Sequence, residues 1–185
     1  MTTPDLEAAL GLTVDDLLAP DLRLLFVGIN PSPWTAAVNA HFARPGNRFW
    51  PALHRAGLTM RLVDASRGMD PVDLADLAER GIGITNLAPR ATRRADEVTA
   101  EELRLGRGLL ERLVDEHRPR VVAVAGVTAY RVAFGDRRAR LGRQPDDLGG
   151  AELWVAPNPS GLNAHATIDT LASAYADIGR AAEVV

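Results

Sequence analysis

Four stretches of this chain are apolar with almost no alternation: residues 22–28 (LRLLFVG), 81–86 (GIGITN), 120–125 (RVVAVA) and 152–156 (ELWVA). A strand with one wet face alternates apolar and polar positions, whereas a strand covered on both faces is apolar at both parities. Between these runs the period becomes helical, in residues 47–56 (NRFWPALHRA), 71–80 and 99–116. The punctuation agrees. Asn47 stands where it can cap, Gly57 and Gly81 follow helix ends, and Thr99 with Glu102 has capping-box spacing. Residues 127–134 and 167–182 read as two further helices. Strands alternating with helices predict parallel pairing, because parallel strands need crossovers and crossovers cover both sheet faces. The expected class is α/β, with residues 1–20 as an N-terminal helical extension and residues 87–98 and 135–150, rich in Arg, Asp, Pro and Gly, as mobile loops.

The length of 185 residues suits one domain, so residues 1–185 are read as a single unit. No apolar run approaches a bilayer span, and the N-terminus lacks the basic-then-apolar layout of a secretory signal, so a cytoplasmic protein is expected. The absence of cysteine excludes disulfides, thiolate zinc sites, cysteine-ligated iron–sulfur clusters and thiol nucleophiles. His41, His54, His117 and His165 are scattered singly, so no metal site is expected. The net charge of −3 argues against a protein that coats nucleic acid through a globally positive surface. It leaves room for a local basic face. The clusters Arg90/Arg93/Arg94 and Arg137/Arg138/Arg140/Arg143 offer forked phosphate donors, although either one alone is more simply a solvated surface.

In sheets of this kind ligands bind beyond the carboxyl ends of the strands. Three of those ends carry an asparagine, Asn30, Asn86 and Asn158, and two of the three precede proline. Proline biases the preceding residue away from helical geometry and fixes the path of the loop. One such asparagine is ordinary turn chemistry. Three at one sheet edge, with Trp34 and Phe42 nearby in sequence, describe a pocket for a planar polar ligand, since an amide matches the edge of a nucleobase and an aromatic ring its face.

"GINPSPW" (residues 28–34), "HFARPGNRFW" (41–50), "GIGITN" (81–86) and "NPSGLN" (158–163) recur in one order, and together they resemble the mismatch-specific uracil/thymine DNA glycosylases, the MUG/TDG branch of the uracil-DNA glycosylase superfamily. The resemblance runs from about residue 22 to the last helix. It implies a three-layer sandwich with a central four-stranded parallel sheet. It also implies hydrolysis of the N-glycosidic bond of a uracil flipped out of double-stranded DNA opposite guanine, by a monomer without metal or cofactor. Asn30 then takes the place of the water-positioning residue and Phe42 that of the stacking ring. Ser160, Gly161, Leu162 and Asn163 take that of the minor-groove wedge, with Leu162 at its tip. Ile29, Thr35, Asn86 and Asn158 complete the base contacts. The chemistry is compatible, because an amide can orient water but is a poor base, so much of the driving force must come from stabilising the leaving base.

The chain departs from that pattern in places. Ser32 replaces a glycine that usually closes the first motif. Thr35 has the size to crowd the 5-methyl of thymine, whereas "TN" at Asn86 follows the thymine-type members. Asn158 stands where the most active uracil enzymes carry histidine. Phe49, Trp50 and Trp154 read as core, and Asp96 or Glu97 remains open as a carboxylate base. Two other readings stand beside the first: a broad uracil glycosylase that also accepts single strands, and a silent module that binds nucleotide or damaged DNA.

Overall fold

The computed structural model describes residues 4–164 and 166–185; His165 lies outside them. Five strands form one sheet: β1 (Leu24–Gly28), β2 (Ile82–Asn86), β3 (Val121–Ala125), β4 (Gly142–Arg143) and β5 (Glu152–Ala156). The order is β2-β1-β3-β5-β4. The first four in that order are parallel, and β4 pairs antiparallel with β5. The expected four-stranded parallel sheet is thus present, with a fifth, antiparallel strand at one edge. A two-residue strand is too short to leave any period in the sequence.

The helices are α1 (Pro33–Val38), α2 (Phe49–Arg55), α3 (Pro71–Arg80), α4 (Ala100–His117), α5 (Val127–Phe134) and α6 (Ile168–Ala181). Five match expected helices to within two residues at each end. The sixth, α1, was not foreseen, and it explains the departure at Ser32. Ser32 is its N-cap, with Oγ accepting from the Thr35 backbone N–H and proline following at the first helical position.

Side-chain alternation builds three layers. Leu24, Phe26, Ile82, Ile84, Val121 and Ala123 face α2, α3 and α6, while Leu25, Val27, Val122, Val124, Leu153 and Val155 face α4 and α5. Phe26 is fully buried against Phe49 and Tyr175, at ring-centroid distances of 5.3 and 5.2 Å. Burial of a side chain of this kind contributes about 2–3 kcal/mol. Phe49 and Trp50 are core, as expected, and Trp154 is half-buried against the same cluster.

The expected N-terminal helix is not formed by the described residues. Residues 6–11 make turns, Gly11 donates to Ala91 O, and Leu17 exchanges two backbone hydrogen bonds with Ile84 (2.9 and 2.7 Å). The segment caps the outer edge of β2, whose unpaired backbone groups would otherwise face solvent. Among the described residues no helix is long and apolar enough to cross a membrane.

Candidate active site

The sheet order reverses direction at β1: the chain passes from β1 to β2 on one side and returns to β3 on the other. A cavity of about 400 Å³ opens at the carboxyl ends there, where such sheets bind ligands. The loops after β1, β2 and β5 line it. Ile29, Asn30, Thr35, Phe42, Asn86, Asn158, Ser160, Leu162 and Asn163 all contribute. Gly161 is the one member of the expected set outside the lining. Trp34 is also outside it, because it packs on the core and its Nε1–H donates to Ser66 O (3.0 Å), tying α1 down.

The side-chain amide of Asn30 has a fixed polarity. Its Nδ2 donates to Pro31 O (2.9 Å), Arg90 O (3.3 Å) and Thr92 Oγ1 (2.8 Å). Two of these partners are carbonyls, which only accept, so the nitrogen must face them and Oδ1 becomes the end left for a ligand. Thr92 is buried and its hydroxyl donates to Arg94 O (2.6 Å), which orients it as the acceptor for Asn30. The backbone repeats the connection: Leu87, Ala88 and Thr92 N–H donate to the carbonyls of Gly28, Ile29 and Pro31. The β1–β2 pairing thus continues past both strand ends into the site.

Asn86 is set by His41. The histidine is buried, and burial pulls its pKa below the ordinary 6.5 despite the opposing pull of its bond to Asp15 and the nearby charges of Asp16 and Asp15. It is therefore neutral near pH 7. Its Nε2 lies 3.0 Å from Asp15 O, an acceptor only, so Nε2 carries the proton and Nδ1 accepts from Asn86 Nδ2 at 3.4 Å. Asn86 then presents Oδ1. That oxygen occupies the space a side chain on residue 28 would need, since a Cβ on Gly28 would lie 2.4 Å from it. Asn158 has the opposite polarity: its Oδ1 accepts from Ser160 N–H (2.9 Å), leaving Nδ2 as the free donor end. Two acceptors, Asn30 Oδ1 and Asn86 Oδ1, and one donor, Asn158 Nδ2, therefore flank the cavity with fixed sense.

Phe42 has φ +54°, a left-handed backbone that a bulky residue adopts only under constraint. Its ring stacks on Phe49 (centroids 4.0 Å, interplanar angle 19°) and lines the cavity while half-exposed. The ring thus rests on the core through Phe49 and Phe26.

Leu162 is 75% exposed at the rim, and no core claims it. Arg44, Arg93 and Arg94 also reach the cavity, Arg93 paired with Glu7 and Arg94 with Asp96 (2.5 Å), whereas Arg137, Arg138, Arg140 and Arg143 do not. Of the two open carboxylates Asp96 lines the cavity and Glu97 does not; Asp96 is exposed and held by Arg94. No group of three or more His, Asp or Glu residues among those described is arranged to hold a metal ion.

A family model described as the uracil DNA glycosylase superfamily matches residues 16–179. Among solved structures, the solution NMR structure of a candidate uracil DNA glycosylase from Methanosarcina acetivorans is similar with a TM-score of 0.63. It is 18% identical, and the match covers 93% of this chain and 98% of that one. At that identity the likeness is one of fold.

Proposed function

The chain belongs to the uracil DNA glycosylase superfamily, whose members are DNA glycosylases, and from that premise we propose that it excises uracil flipped out of double-stranded DNA opposite guanine, initiating base excision repair. The observation that carries the reading is the tethered amide of Asn30, with its Nδ2 committed to three acceptors and its Oδ1 turned out as a water acceptor.

Water held by Asn30 Oδ1 attacks the sugar C1′ as the bond from C1′ to the base nitrogen breaks. The bonding pair leaves with uracil, whose charge spreads onto its carbonyl oxygens, and the water proton passes to solvent. Asn158 Nδ2 supplies a donor for that charge, and Asn86 Oδ1 accepts from the N3–H that uracil has and cytosine lacks. Phe42 stacks on the flipped base, and Leu162 fills the vacated position in the duplex. Among the described residues the one carboxylate lining the cavity, Asp96, is held by Arg94, so the expected enzyme is slow. Thr35, buried in the cavity wall, favours uracil over thymine by crowding the 5-methyl position.

The test is single-turnover cleavage, with enzyme in excess, of duplexes containing G·U, A·U or G·T and of single-stranded uracil. Alkali-sensitive abasic product from G·U, reduced at least about 100-fold in Asn30→Ala, supports the reading, the loss expected when a group that acts on the transition state is removed. Comparable rates on G·T and G·U would discard the role of Thr35. Equal rates on single strands and G·U would select the broader uracil glycosylase, and binding of G·U without any product would select the silent module.

A further inference from the structure

The wedge loop has no regular secondary structure, yet its backbone is held from behind. Arg48, at the start of α2, donates through Nη1 to Asn163 O (2.8 Å) and to Ala166 O, and through Nη2 to Gly161 O (3.2 Å). Its own backbone N–H donates to Pro159 O (3.0 Å). The guanidinium makes no ion pair among the described residues, so the whole cation serves these carbonyls. A second contact adds to this clamp: a Cβ on Gly161 would lie 2.7 Å from Gly46 O, so the loop sits directly on the backbone of residues 46–48. Inside the loop, Asn163 N–H donates to Ser160 O (2.9 Å) and Asn163 Nδ2 to Asn158 O (3.0 Å). Leu162 projects outward from a turn whose carbonyls are tied to α2.

We propose that Arg48 is the positioning residue that preforms the wedge, holding the carbonyls of Pro159, Gly161, Asn163 and Ala166 so that Leu162 meets DNA already aimed. A planar fork with fixed donor directions suits this task, because one rigid group spans carbonyls from three residues. Prior ordering matters, since a loop that must be immobilised on binding loses part of its binding energy to that ordering. The same segment carries Phe42 six residues earlier, so the stacking ring and the wedge are fixed to one short stretch of chain. The role assigned to Arg48 in excision rests on the glycosylase reading above; its role in ordering the loop does not.

Two measurements test it together. Hydrogen exchange on the DNA-free protein compares wild type with Arg48→Met, which keeps the apolar stem and removes the fork. Protection of the Leu162 and Asn163 amides is expected to fall about tenfold or more in the variant, with the amides of β1 and β3 unchanged. Single-turnover excision from G·U duplex is then compared for wild type, Arg48→Met, Leu162→Ala and the double variant. Arg48→Met is expected to lose about tenfold or more, and the double variant to fall within about twofold of Leu162→Ala alone, as two residues acting through one step should. Losses that multiply in the double variant would overturn the proposal by showing that Arg48 acts elsewhere, as on a phosphate. Unchanged loop exchange would overturn it as well. If wild type excised no uracil, the glycosylase reading would fall, while exchange would still decide whether Arg48 orders the loop.

Discussion

A side-chain amide has a donor end and an acceptor end of nearly equal shape, so its neighbours decide which end a ligand meets. That rule makes Thr92 and His41 part of the site although both sit one step behind it. Neither role was legible in the sequence: Thr92 acts through a contact across 62 residues, and His41 looked like one of four isolated histidines. Asn30, Asn86 and Asn158 were legible because strand ends announce themselves, whereas the polarity of each amide depends on tertiary partners. His41 also carries a pH dependence. The unfolded chain binds a proton near pH 6.5, which the folded chain accepts only at lower pH, so stability is complete above that value and falls as pH drops below it. The expected loss is at most about 1.4 kcal/mol for each pH unit within that window. Urea unfolding at pH 7.5, 6.0 and 5.0 should show this slope, and His41→Gln should reduce it.

The elements were the most legible level, since apolar runs and caps are local signals, and the capping box of Thr99 and Glu102 forms as its spacing implied. What stayed hidden was short or borrowed: α1 has six residues, β4 has two, and the N-terminal segment takes its shape from the edge of β2. Helix α4 shows how packing overrides local preference. At Gly106 an added Cβ would meet Leu87 O at 1.9 Å, while at Gly108 it would meet nothing within 4 Å. Alanine favours helix over glycine by about 1 kcal/mol at either position. Gly108→Ala should therefore raise stability by about 0.5–1 kcal/mol. Gly106→Ala should lower it by about 1–3 kcal/mol, because α4 must then move off the residue after Asn86. Urea midpoints of the two variants check the pair, and equal effects would show that α4 does not bear on Leu87.

Across the whole molecule the charge is slightly negative, and among the described residues the cationic groups at the cavity are Arg44, Arg93 and Arg94. DNA binding by so few phosphate contacts should have a shallow salt dependence, with log K against log salt near a slope of about −3. Arg44 is exposed and has no ion-pair partner among the described residues, so Arg44→Ala should flatten that slope by about 1. Fluorescence anisotropy across a salt series measures both. A slope unchanged in the variant would remove Arg44 from the interface.

The hydrogen bonds that carry the β1–β2 pairing beyond the strands also tie the fate of the Asn30 loop to that of the sheet. Asn30 cannot leave its position unless Thr92, Pro31 and the backbone of residues 87–92 come apart with it. A loop bound in this way belongs to the most cooperative part of the molecule rather than to its fraying margin. On heating, loss of the Asn30 geometry and melting of the sheet therefore become a single event, and a sample warmed to just below that point keeps this loop intact.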